Sequence, residues 1–117
     1  MGGNVADFRI VQDSSFRLAA DDGDDRQFTF SLVGAALRNQ GSILSFMVVG
    51  NARLDVEING HIVIDGMRLG SVDVVRCVQE VCPPNIFERV GDNLITFEAK
   101  EGSCSISDVV IWFQRSV

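Results

Sequence analysis

The chain has 117 residues, 46% hydrophobic and 22% charged, with 16 acids against 10 bases and a formal net charge of −6. That length and composition fit one globular domain over residues 1–117 and exclude a disordered chain. The acid excess argues against nucleic acid and against an anionic membrane surface, which both need basic contacts, and no apolar run nears the ~20 residues that cross a bilayer. The stretch Met1-Gly2-Gly3-Asn4-Val5-Ala6-Asp7 has no basic region followed by an apolar core, so it does not read as a signal peptide. The compartment stays unassigned.

Along the chain the dominant hydrophobic period is two, the mark of strands with one wet face. Phe8 and Ile10 alternate with Asp7 and Arg9, which predicts a first strand with its apolar side turned inward. Phe16, Leu18 and Ala20 form a second such run, closed by the acidic turn Asp21-Asp22-Gly23-Asp24-Asp25. Phe28, Phe30 and Leu32 alternate with Gln27, Thr29 and Ser31. Val33 to Leu37 has room for a helical turn, and Asn39-Gln40-Gly41-Ser42 reads as a loop. Ile43 to Val49 is apolar on both faces, which predicts a central strand, and Gly50-Asn51 breaks it.

Leu54, Val56 and Ile58 lead into Asn59-Gly60, a dipeptide suited to positive φ at both turn positions, so 53–58 and 61–65 are expected to form a hairpin. Cys82-Pro83-Pro84-Asn85 ends the next strand, because proline cannot donate to a ladder. Ile86 to Val90 is expected to make one helical turn with Ile86, Phe87 and Val90 inward. The turn Gly91-Asp92-Asn93 then feeds Ile95, Phe97 and Ala99, and Val109 to Phe113 is a second stretch apolar on both faces. About eight or nine short, mostly antiparallel strands of this kind predict an all-β sandwich or barrel.

Three phrases in order, Leu54-Asp55-Val56-Glu57-Ile58-Asn59-Gly60, Gly91-Asp92-Asn93-Leu94-Ile95-Thr96-Phe97 and Ile106-Ser107-Asp108-Val109-Val110-Ile111, resemble the galactose-binding-like jelly-roll sandwich. That family includes many carbohydrate-binding modules. The resemblance covers roughly residues 43–115 and implies a jelly-roll β-sandwich, with ligand contacts in connecting loops. Sugar-gripping modules usually present several Tyr and Trp platforms, whereas this chain has no Tyr and one Trp.

Few residues point to chemistry. Asp21 to Asp25 could supply oxygen ligands to calcium, and related modules often hold a structural calcium near a terminal strand, where Asp108 lies. A solvated acidic turn is the preferred reading, and no metal site is assigned. His61 is the only histidine and reads as a surface turn residue; no nucleophile motif or phosphate loop accompanies it. Cys77, Cys82 and Cys104 are an odd set, read as small buried hydrophobes, with a Cys77–Cys82 bridge as the alternative in a secreted protein. Trp112 has three readings: a sugar-stacking platform, part of an outer face that buries against a second subunit, or, the preferred one, core beneath a loop. Arg68, Arg76 and Arg89 with Asn85 fall in the long connection between the hairpin and the Gly91 turn, where such side chains can bracket hydroxyls.

The expectation is therefore a jelly-roll sandwich acting as a non-catalytic binding module, with carbohydrate as ligand class and Arg68, Asn85, Arg89 and Trp112 as ligand-binding residues. The alternative is an assembly protein that forms a homo-oligomer through an apolar sheet face.

Overall fold

The computed structural model describes residues 3–23, 25–88 and 91–117. Six strands follow in order: β1 (Asn4–Gln12), β2 (Phe16–Ala19), β3 (Asp25–Phe30), β4 (Ser42–Ile58), β5 (His61–Cys82) and β6 (Asn93–Ser116). One short 3-10 turn, Ala20–Asp22, joins β2 to β3. All pairings are antiparallel, in the order β1-β6-β4-β5, with β2 and β3 also paired to β6. β1, β2 and β3 thus lie end to end along one side of β6, opposite Asn4–Ser116, Phe16–Ile106 and Phe30–Asn93. The two stretches read as apolar on both faces are indeed the central strands, β4 and β6.

The long strands cannot be straight. At ~3.3 Å per residue the 24 residues of β6 would run ~79 Å, yet the longest dimension of the molecule is 52 Å. The chain bends where Gly50 (φ 143°) lies opposite Cys104 and Gly102 (φ 71°) lies opposite Ala52. A Cβ on Gly50 would sit 2.6 Å from the Cys104 Cα, and one on Gly102 would collide with the Asn51 carbonyl. Only glycine permits that approach, and both positive dihedrals favour it as well. Each long strand therefore serves two layers, as in sandwiches whose corners are made by strands that switch sheet. Counted by layer, the six strands supply the eight or nine segments expected from turn chemistry, and the break read at Gly50-Asn51 is a bend within a strand.

The layers close on an aromatic core. Phe46 from one half of β4 meets Phe97 from the far half of β6 edge-on, with centroids 5.5 Å apart. Phe16 stands 5.4 Å from Phe97 and 4.9 Å from Phe28. Such pairs add about 0.5–1.5 kcal/mol each beyond the area they bury. Leu44, Leu54, Val56, Ile58, Ile95, Ile106, Val109 and Ile111 fill the remainder and are inaccessible.

Three local expectations change. Phe8 and Ile10 face outward, each 52% exposed, because β1 pairs Phe8 with Trp112 and Ile10 with Val110 on the outer side of β6. Ile86 and Phe87 are buried as expected but no helix forms at 86–88; Arg89 and Val90 lie outside the described residues. Val33 to Leu37 makes a single hydrogen-bonded turn, Ala36 N to Val33 O at 3.0 Å, rather than a helical one. The Asn59-Gly60 hairpin forms as read, with φ of 52° and 80° at its two turn residues.

Candidate functional site

Two connections cross from one layer to the other at the same end of the sandwich. β3 ends at Phe30, opposite Asn93 where β6 begins; β5 ends at Cys82, opposite Ser42 where β4 begins. The connections that begin at 31 and 83 must therefore both pass between the two layers. They are tied together. The Asn85 N–H donates to the Arg38 carbonyl at 2.8 Å, and the Arg38 guanidinium donates to the carbonyls of Glu88 at 2.7 Å and Ala36 at 3.2 Å. The Leu37 N–H reaches the Gln114 carbonyl at 2.8 Å and fastens the first connection to β6.

Beneath them the two turn motifs noted in the sequence meet. Asn59 donates through Nδ2 to the Asn93 Oδ1 and to the Ile86 carbonyl, both at 2.8 Å, and its Oδ1 accepts the Leu94 N–H at 2.9 Å. Asn93, fully buried, also accepts the Glu88 N–H at 2.7 Å. A buried amide survives only with such partners. Phe87 packs edge-on to Phe30, centroids 6.1 Å apart, and seals the end of the core.

Between the connections lies a cleft of about 500 Å3 lined by Ala36, Leu37, Arg38, Asn39, Asn85 and Phe87. Its size is that of a small-molecule or oligosaccharide subsite. Two amides and one guanidinium sit beside an apolar floor, a combination able to exchange hydrogen bonds with hydroxyls while a ring packs below. Among the described residues this lining contains neither carboxylate nor histidine.

Of the four residues predicted as ligand-binding, only Asn85 lies in this cleft. Arg89 falls outside the described residues. Arg68 stands on β5 opposite Arg53, its guanidinium 3.0 Å from Glu101, which Arg53 also approaches at 3.8 Å. Trp112 is not under a loop: it is 44% exposed on the outer face of the layer formed by β1 and the outer halves of β6, β4 and β5. Its Nε1 donates to the Ser45 Oγ at 2.9 Å, so the indole leans across β4, and Phe8 lies 5.4 Å away. Ile106 stands an even number of residues from Trp112 yet is buried, because the bulge at Asp108 (φ 54°) shifts the alternation by one residue. Sequence reading missed Arg38 and Asn39. They sit in a stretch read only as turn and loop, and nothing local marks which loops cross between layers.

The opposite layer carries a second, smaller hollow of about 340 Å3, lined chiefly by Asp25, Asp55, Glu57 and Glu98. Lys100 bridges it, 3.2 Å from Glu98 and 3.9 Å from Asp55. Of the acidic turn read as a source of calcium ligands, Asp24 lies outside the described residues. Asp21 and Asp22 are consecutive in the 3-10 turn, Arg17 stands 4.0 Å from Asp22, and the Asp108 carboxylate takes a hydrogen bond from Ser107 at 3.1 Å. Among the described residues no group of three or more acids, histidines or cysteines is placed to hold a metal ion.

The cysteines are free, and Cys77 is exposed rather than buried. Cys77 and Cys82, five residues apart along an extended strand, are separated by ~16 Å, beyond a disulfide's ~7 Å reach. Burial pushes the Cys104 thiol up to about 11, against a smaller opposing effect of Arg17. Burial also raises Cys82, despite hydrogen bonds from Ser42 and Leu44.

No protein family matches the sequence as a profile, and no curated protein matches it. Solved structures do. A beta-porphyranase of glycoside hydrolase family 86 from Bacteroides plebeius is similar over 99% of this chain, with a TM-score of 0.75 at 14% identity. Dimeric latent PorU from Porphyromonas gingivalis is similar over 96%, with a TM-score of 0.65 at 13% identity. A family 35 carbohydrate-binding module from Clostridium thermocellum is similar over 84% of this chain and 97% of its own length, with a TM-score of 0.51 at 15% identity. The chain spans 21% of the porphyranase and 13% of PorU. These likenesses are of fold, and the jelly-roll resemblance read from three phrases holds at that level.

Proposed function

We propose that this chain is a non-catalytic carbohydrate-binding β-sandwich and that the sugar sits in the cleft between the 31–41 and 83–88 connections. The observation that carries the reading is the composition of that cleft: Arg38, Asn39 and Asn85 around an apolar floor at Phe87, on connections held in place by the half-buried Asn59–Asn93 bond. A fold shared with a family 35 carbohydrate-binding module supports it. Glycoside hydrolysis generally needs two carboxylates flanking the bond, and this lining offers none among the described residues, which favours binding over turnover.

Arg38 is fixed by the carbonyls of Ala36 and Glu88, so its planar donor group is oriented before ligand arrives and little side-chain entropy is lost on binding. The test is calorimetry against a panel of neutral and acidic oligosaccharides, using the intact chain beside Asn39→Ala and Asn85→Gly. Glycine is chosen at 85 because the backbone there has φ 64°. The reading predicts saturable binding to at least one oligosaccharide and a loss of about tenfold or more in each variant, equivalent to ~1.4 kcal/mol. Binding that both variants retain in full would refute the placement, and no binding across the panel would refute the ligand class.

A further inference from the structure

We infer that the outer face carrying Trp112 is a self-association surface, and that its occupant is a second copy of this chain related by a two-fold axis. The inference concerns a face remote in role from the cleft and does not rest on the carbohydrate reading. Two rows cross all four strands in register. One runs Phe8, Trp112, Ile43, Val81; the next runs Ile10, Val110, Ser45, Gln79. Neither row contains a charge. The neighbouring charges Arg9 and Glu80 pair with Ile111 and Leu44, which belong to the inward-facing set.

In a chain of net charge −6, that absence selects the partner. Two copies approaching through the hollow of the other layer would bring Asp25, Asp55, Glu57 and Glu98 against their own images, with Lys100 the one base in its lining. The two rows of the Trp112 face let identical acidic molecules meet without like-charge contact across them. Its apolar content is also large. Phe8, Ile10, Ile43, Val81 and Trp112 are 52, 52, 40, 68 and 44% exposed. Together they leave roughly 500 Å2 of apolar surface, near the top of what a monomer normally shows. The neighbouring Gln79 and Cys77 extend this toward the ~800 Å2 per partner of a stable interface. A flat row across a sheet can stack on a copy of itself, as paired sheets do ~10 Å apart.

Trp112 is the only tryptophan and the chain has no tyrosine, so intrinsic emission reports on this face alone. The experiment measures mass by light scattering and Trp112 emission on the intact chain, from low micromolar to near-millimolar concentration. The expected result is a twofold rise in mass accompanied by a blue shift of emission, with association strengthening as added salt screens the net charge. Val81→Glu should weaken association by about tenfold or more, since it places a carboxylate in the row. Ile62→Glu, a 58% exposed apolar residue on the other layer, should leave it unchanged. A monomer mass at every concentration overturns the inference. So does a dimer that forms without a change in Trp112 emission or survives Val81→Glu. A polysaccharide that blue-shifts Trp112 in a molecule that stays monomeric overturns it as well, in favour of a sugar platform.

Discussion

Replacing Asn93 by alanine tests how the end of the sandwich is held. Asn93 is fully buried, and its Oδ1 accepts from both Asn59 Nδ2 at 2.8 Å and the Glu88 N–H at 2.7 Å. Its own Nδ2 contributes a long bond to the Phe30 carbonyl at 3.4 Å. Alanine removes two good hydrogen bonds, each worth about 1 kcal/mol net, and strands part of two donors, at about 1 kcal/mol more in total. Asn59 keeps its bond to the Ile86 carbonyl, which limits the loss. The sum is about 3 kcal/mol, equivalent to roughly 10–15 °C in Tm for a chain of this size. Urea melts followed by circular dichroism measure it. A cycle with Asn59→Gly, which tolerates the φ of 52°, isolates the pair, and coupling of about 1 kcal/mol is expected. A cost below ~1 kcal/mol for Asn93→Ala, or no coupling to Asn59, would refute the claim that these two turn motifs anchor the cleft.

Further outcomes follow from the same geometry. Gly102→Ala should cost more than about 2 kcal/mol in a urea melt, because its Cβ meets the Asn51 carbonyl at a positive φ. An exposed glycine such as Gly34, with no neighbour in reach, should tolerate alanine within about 0.5 kcal/mol. Raised thiol values make the folded state prefer neutral Cys104, so that share of stability is full below the ordinary value of 9.0 and is lost as pH climbs toward about 11. Melts at rising pH should show a decline of up to about 2–3 kcal/mol that Cys104→Ala reduces. Chelator or calcium should leave Tm unchanged, since no group of three or more described carboxylates is placed to hold a metal ion; a rise with calcium would contradict that placement.

Much of this architecture was written in local pattern. Period-two alternation located the strands, and the Asn59-Gly60 dipeptide located a hairpin whose register is now explicit. The bends were harder to read. Gly50-Asn51 looks like the end of a strand, yet the chain continues pairing on both sides because a glycine lets two backbones touch. Phe8 and Ile10 misled because alternation tells which residues share a face, not which face meets the core; β1 borders the outer row of Trp112. Asp108 hid a bulge, since an aspartate in a strand carries no sign that it adopts positive φ. The cleft was legible only in part: Asn85 was marked by its place in the connection before the Gly91 turn, while Arg38 and Asn39 reach it through a long-range crossing.

Binding at the layer-crossing end is the claim on which the functional reading rests, and amide-resolved NMR titration tests it most directly. Adding an oligosaccharide that binds should shift the backbone signals of Leu37, Arg38, Asn39, Asn85 and Phe87 together while leaving β3 and the Glu98 region in place. Shifts confined to the acidic layer around Asp55 and Glu98, or to the Phe8 and Trp112 face, would contradict it.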